Sequence, residues 1–305
     1  MELDDRLRKT PRQARSRSTV EAILEATERV LRMEGYGAAS TNRVARVAGF
    51  SVGSLYQYFD DKQAVVGALL DQALGAEAGR IAQALDGGAR LDPATARERL
   101  VRLVLSERRS KSHLLRILDA HGSELCSEAP LLHVLRVQAA TLADPLHRFA
   151  AAHFSDAFRG AFDEFLALSA RFVHAVGYAL AVDSPEHLAD ESVARLVIGT
   201  LGALQKPPAL LAPAVCELRD AWLAGSGAAW ADAAGRARRI RETRSALMRD
   251  GELPHAALEP TVFVAAAIGE AVAELRDAPP ARLDLGRARE ASARLLQACL
   301  AAALR

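Results

Sequence analysis

The sequence predicts an all-α fold: an N-terminal three-helix domain followed by an enlarged helical bundle. Apolar residues recur at three- and four-residue spacing through almost every segment, and the two-residue alternation of a half-buried strand is almost absent. Proline and glycine fall between these periodic runs, at Pro93, Pro130, Pro145, Pro185, Pro207-Pro208, Gly225, Gly227, Pro254, Pro260 and Pro279-Pro280, where they end helices. Half of the 305 residues are hydrophobic, so the chain has core material for more than one domain.

A first helix is expected from after Ser18 to about Met33, with Val20, Ile23, Leu24, Val30 and Leu31 on one face and Gly35 and Gly37 at its end. Ser40 caps a second helix whose small apolar face is Val44, Ala45, Val47 and Ala48. Gly49 ends it, since glycine takes a left-handed C′ conformation without steric cost. A capping box would want Glu at Arg43, so the cap is single-sided and Arg43 is expected to be free to face a ligand. Ser51 caps a third helix, Val52 to Phe59. Leu55 and Phe59, four apart, point inward and leave Ser51, Val52, Gly53, Ser54, Gln57 and Tyr58 wholly or partly open. Two short helices joined by a tight turn over about 39–58 make a helix-turn-helix. Small hydrogen-bonding residues at the start of the second helix suit entry into a DNA major groove, with Tyr56, Tyr58 and Lys62 placed for phosphates.

These residues carry a family resemblance. The segment from Arg17 to about Asp71, centred on GYGAASTNRVARVAGFSVGSLYQYFDDKQAV, resembles the DNA-binding domain of TetR family bacterial transcriptional regulators. GSLYQYF followed by lysine three residues later is its most specific part. Phe50 stands where a smaller aliphatic residue is usual, Asp60-Asp61 replaces a more typical Pro-Asn, and Gln63 replaces a common Glu. The resemblance implies DNA contacts at Arg17, Ser40, Thr41, Asn42, Arg43, Ser51, Val52, Gly53, Ser54, Tyr56, Gln57, Tyr58 and Lys62. It also implies a helical ligand-binding and dimerisation body, with Val264, Ile268, Val272, Leu295, Leu296, Cys299 and Leu300 of the last two helices building the homodimer interface.

A formal net charge of +1 provides no global basic field, so DNA attraction needs a local patch. The expected flexible arm, residues 1–16, supplies one: Arg6, Arg8, Lys9, Arg12 and Arg15, with Arg17 beside it, outnumber Glu2, Asp4 and Asp5. The helix-turn-helix domain is expected over 17–76. A fourth helix, from Asp61 to about Leu85 with Val65, Val66, Leu69, Leu70 and Leu74 on one side, is the lever into a regulatory body over 77–305. Further helices are expected near 94–122, 130–142, 145–181, 188–204, 209–223, 228–250, 260–276 and 284–304. Ile198-Gly199 echoes Ile268-Gly269, so the body reads either as a partial duplication, about 94–205 and 206–305, or as Ala-rich bundles that look alike.

Within the body, Phe154, Phe158, Phe162 and Phe165 step by four, four and three along one helix. With Phe172 and the polar His153, Arg171, His174 and Tyr178 they read as core, or as a core that carves a pocket for an apolar or aromatic effector. Seven of the eight histidines lie between His113 and His187, yet none pairs at HxxxH spacing, so no metal site is expected. Arg236, Arg238, Arg239, Arg241, Arg244 and Arg249 read as a solvated face interrupted by Glu242 and Asp250. Cys126, Cys216 and Cys299 are too scattered for a disulfide framework, and no run of about 18 apolar residues appears. A cytoplasmic, non-membrane protein is the expectation. No GxSxG, HExxH or phosphate-cradling loop occurs, so neither enzymatic activity nor a cofactor is expected. The function expected is that of a dimeric, ligand-responsive regulator, a repressor of a palindromic operator in double-stranded DNA. The alternatives are control by a protein partner and, further off, an enzyme fused to a DNA-binding head.

Overall fold

A computed structural model describes residues 6–9, 11, 13–88, 90–127, 130–153, 162–203, 233–250, 262 and 264–266. Among these, every regular element is helical. In chain order they are α1 (Ala14–Ala38), α2 (Thr41–Ala48), α3 (Val52–Tyr56), α4 (Lys62–Gly88), α5 (Pro93–Ser110), α6 (Ser112–Leu125), α7 (Pro130–His153), α8 (Phe162–Asp183), a 3-10 turn (Pro185–Ala189), α9 (Glu191–Ala203) and α10 (Ala233–Asp250). The chain divides into two compact units: residues 1–79 with 113–141, and residues 80–112 with 142–305. The boundary expected near residue 76 thus falls inside α4, and 113–141 group with the N-terminal unit.

In the first unit α1 packs on α2 and α2 on α3. Val20, Ile23, Leu24, Val30 and Leu31 of α1 are buried, as are Val44, Ala45, Leu55 and Phe59, so the apolar positions of the sequence pattern form one core. Gly35 interrupts α1 with φ 79° and ψ 173° rather than ending it, and helix resumes to Ala38. Gly49 adopts the left-handed conformation expected of it, φ 77°. From α4, Asp71 reaches α7: its Oδ1 lies 2.7 Å from His133 Nε2, with both side chains almost wholly buried.

In the second unit α5 packs on α8, on α9 and on the 3-10 turn. Asp92 caps α5 by accepting from the Ala94 and Thr95 amides, with Pro93 at the first helical position, where its missing N–H costs nothing. Residues 172–178 of α8 are buried on every side, the behaviour of a helix that is apolar all round. Arg108 of α5 lies inside this packing, its Nη2 2.6 Å from His174 Nδ1. Arginine only donates, so Nδ1 accepts and the ring proton sits on Nε2. Gly177 makes the room: a Cβ there would stand 2.8 Å from Arg108 Cγ. Burial, reinforced by the Arg108 charge, pushes the His174 pKa down to about 3. Glu107 is held at about 2, chiefly by the Arg80 hydrogen bond, with Lys111 also paired to it.

Several boundaries differ from expectation. The run 94–122 is two helices, because the Ser110 hydroxyl bonds the Glu107 carbonyl and Lys111 leaves helical geometry at φ −108°, ψ 9°. Pro145 lies inside α7 instead of between helices. A proline removes its own N–H, here the donor for the Thr141 carbonyl, and its ring crowds that carbonyl; the two units part at that residue. The third helix closes at Tyr56, with Gln57–Phe59 turning back on Leu55 through the Tyr58 and Phe59 amides. Arg239 is buried and donates to the Ala266 carbonyl at 3.5 Å, so the arginine run is not simply a solvated face. The runs 209–223 and 284–304, and with them the duplication, lie outside the described residues.

His174 makes stability pH-dependent with a defined sign. Its folded pKa is depressed, so its contribution is complete above the unfolded value near 6.5 and is lost as pH falls towards about 3. Urea unfolding at pH 5 should show about 2 kcal/mol less stability than at pH 7.5 from this group alone. In His174→Asn, whose amide oxygen can take the place of Nδ1, that part of the slope should vanish.

Candidate nucleic-acid interface

The helix-turn-helix is assembled from local devices. Ser40 accepts the Arg43 amide at 3.2 Å and starts α2, and Ser51 accepts the Ser54 amide at 3.0 Å and starts α3. Leu55 and Phe59 are fully buried, which sets the rotation of α3 and turns Ser51, Val52, Gly53, Tyr56 and Gln57 outward. Val52 and Phe50 are each 36% exposed and Tyr56 41%, so three large side chains stand at the surface around α3. A Cβ on Gly53 would touch only Ser51 Oγ, at 3.7 Å, so the start of the helix is open to close approach. The Tyr56 hydroxyl lies 3.1 Å from Thr41 Oγ1 and ties α3 to α2. Asn42 and Arg17 are exposed, and Ser54 and Tyr58 are half-buried.

Two side chains expected to contact DNA are engaged by other residues of the chain. Arg43 is not free: its guanidinium grips Glu34 of α1, Nε lying 3.0 Å from both carboxylate oxygens. That pairing holds Glu34 below its ordinary carboxylate range. Lys62 donates to the Tyr36 carbonyl at 2.6 Å, and its ammonium stands 3.5 Å from the centre of the Tyr36 ring. Tyr36 in turn stacks on His121 of α6 at 3.9 Å and donates to Glu124 at 3.1 Å. Burial first, then the Glu124 carboxylate, raises the Tyr36 pKa to about 12. The unusual acidic pair has uses of its own. Asp61 caps α4 through the Ala64 amide at 2.7 Å, and Asp60 takes Arg8 at 3.0 Å.

The arm departs from the expectation of a free basic tail. Arg6 is only 8% exposed and pairs with Asp71, while the Arg8 amide donates to the Tyr58 carbonyl at 2.9 Å. Arg12 lies outside the described residues. Docking of the arm forms an open cleft of about 670 Å³ beside α3, lined by Lys9, Gln13, Arg15, Ser16, Thr19, Phe50, Ser54, Gln57 and Tyr58. Two cations, several hydroxyls and two amides along a groove match a phosphodiester backbone. Gln13, Ser16, Thr19 and Phe50 were not among the expected contacts. The basic count of the arm pointed to Lys9 and Arg15, but nothing in the sequence showed that the start of α1 faces α3.

The remaining expected sites fare unevenly. Phe172, His174 and Tyr178 come together in the buried stretch of α8. His153 ends α7, and Phe162, Phe165 and Arg171 lie on α8, but their side chains, with Phe154 and Phe158, are outside the described residues. Val264 is buried within the chain itself, so it is not left open to a second copy. Ile268, Val272, Leu295, Leu296, Cys299 and Leu300 are outside the described residues. Among the described residues no three His, Cys, Asp or Glu side chains converge as metal ligands, and no helix is long and apolar enough to cross a membrane.

Residues 23–69 match the family model of bacterial regulatory proteins of the tetR family. No curated protein and no solved structure matches the chain. The matched segment runs from the middle of α1 through the Ser51-capped α3 into α4, and it holds the exposed Ser51 and Gly53 and the α3 side of the cleft, Phe50, Ser54, Gln57 and Tyr58. The chain is a DNA-binding transcriptional regulator whose N-terminal helix-turn-helix domain is that of the tetR family.

Proposed function

We propose that this regulator is a ligand-responsive repressor that binds a palindromic operator as a homodimer in the cytoplasm. The open N-terminal turn of α3 carries the reading: Ser51, Val52 and Gly53 protrude while Leu55 and Phe59 are locked in the core. A major groove admits such a turn, and Gln57, exposed at its far end, is placed to read a base edge. Two copies would set their reading helices in successive major grooves, about 34–36 Å apart.

Ligand response is supported by chain connectivity and by the core of the second unit. α4 begins at the helix-turn-helix and continues past Gly79 into that unit, so a shift of α4 there changes the attitude of the reading head. Around α8 an apolar core includes the polar side chains of His174, Tyr178 and Thr200, the mixture typical of a pocket for an apolar or aromatic effector. An effector acts by binding one attitude of α4 better than the other.

Selection of duplexes from a randomised pool by the full-length protein should yield an inverted repeat with half-sites about one helical turn apart. Enrichment of no common sequence would refute operator recognition. Gln57→Ala should leave unfolding stability within about 0.5 kcal/mol and change the selected base at one position per half-site. Lys62→Ala should differ in kind. Loss of its carbonyl and ring contacts with Tyr36 should lower stability by about 1–2 kcal/mol in urea unfolding.

A further inference from the structure

We propose that Arg6 and Arg8 are positioning residues for DNA recognition, forming a strap that braces the carbonyl end of the reading helix and presents Lys9 to the adjacent cleft. This inference rests on the DNA-binding reading above.

The strap has a buried anchor. Arg6 Nε lies 2.5 Å from Asp71 Oδ2 on α4, and its Nη1 donates to the Leu125 carbonyl at the end of α6 at 2.8 Å. The second oxygen of Asp71 takes His133 Nε2, and Arg136 Nη2 lies 3.1 Å from His133 Nδ1. An arginine cannot accept, so Nδ1 is the acceptor and Nε2–H is aimed at Asp71. A carboxylate only 2% exposed thus has donors on both oxygens, one of them supplied by the arm. Gly67 completes the seat: a Cβ there would fall 1.9 Å from Arg6 Nη1.

Arg8 works two residues further on. Its amide donates to the Tyr58 carbonyl at 2.9 Å, its Nη1 to the Tyr56 carbonyl at 3.2 Å, and its Nε pairs with Asp60 at 3.0 Å. α3 has five residues, and while the Tyr58 and Phe59 amides take its Leu55 carbonyl, the arm takes that of Tyr56, its last residue, and that of Tyr58 just beyond it. Exposed contacts of this kind hold a long side chain weakly by themselves. Two residues span at most about 7 Å, so the buried Arg6 keeps Arg8 at a high effective concentration beside α3. Lys9, next in the chain, lines the cleft with Ser54 and Gln57.

Gly67→Ala is the informative variant, since alanine favours the helix and the three heavy atoms nearest the added methyl all belong to the flexible end of Arg6. Full-length wild type, Gly67→Ala, Arg8→Ala and the double variant would be compared on the duplex selected by the wild type, by fluorescence anisotropy. Tryptic cleavage after Arg6, Arg8 and Lys9 and helix content by circular dichroism would be followed in parallel. Each single variant should bind about tenfold more weakly with helix content kept, and the double variant no more weakly than either, because both act through one strap. Gly67→Ala should also open the arm to trypsin. An arm as protected in Gly67→Ala as in wild type, an unchanged affinity after its release, or losses that multiply in the double variant would each overturn the proposal. Should Gly67→Ala lose its helix content, the exposed Arg8→Ala alone decides, and wild-type affinity in it would overturn the strap. A wild type that selects no duplex would instead refute the DNA-binding reading, and the strap would stand or fall on whether Gly67→Ala exposes the arm.

Discussion

A helix of five residues cannot hold itself, because forming one turn fixes several backbone dihedrals for a single hydrogen bond. On the proposed reading α3 nevertheless offers its side chains to DNA at a fixed angle. Everything around it answers that constraint. The Ser51 cap begins it, Leu55 and Phe59 pin its inner face, and the Tyr56 hydroxyl ties it to Thr41. Gly49 in the left-handed region lets the chain turn from α2 within a few residues. At the other end Arg8 covers carbonyls that no next turn reaches.

The second unit shows how a polar group is tolerated in a core. Arg108 and His174 are both buried, and the arrangement works only with a neutral imidazole that accepts from the guanidinium. Burial first, then the Arg108 charge, keeps the imidazole neutral there. The Arg108–His174 contact also ties α5 to the middle of α8, with Gly177 giving the arginine its path. α5 reaches α9 as well, where Arg102 pairs with Glu191 while bonding Glu98 of its own helix. Among the described residues of this unit, α5 makes contacts with α8, α9 and the 3-10 turn, and residues 172–178 of α8 are all buried.

Much of the reading head was legible because its signals are local. Ser40, Gly49, Ser51 and the Leu55–Phe59 spacing each act within four residues, and each does what its chemistry predicts. Partners far along the chain were not legible. Nothing near Arg43 announces Glu34, nothing near Lys62 announces the face of Tyr36, and Arg6 meets Asp71 only after the chain has folded back. Pro145 misled because a proline inside a helix forfeits one bond, whereas the sequence signal is the same as for a true break. The α5–α6 break carried no proline or glycine and depended on Ser110 bonding back to Glu107.

These hidden pairings alter the electrostatics of the head. Counting basic residues makes Arg6, Arg8, Arg43 and Lys62 the natural phosphate contacts, yet each already faces a carboxylate or a carbonyl. A cation so paired shows little net field to an approaching phosphate, and exchanging one partner for another releases little free energy. Lys9, Arg15 and Arg46 are further exposed cations about the cleft and the helix-turn-helix. Near-neutral net charge adds no long-range attraction. On the reading proposed above, affinity draws on shape fit at the Ser51–Ser54 turn and on a second copy on the same DNA. On that reading, fixing the angle of α3 matters more than adding charge to it, and the contacts of these cations with Glu34, Tyr36 and Asp71 hold the packing around it.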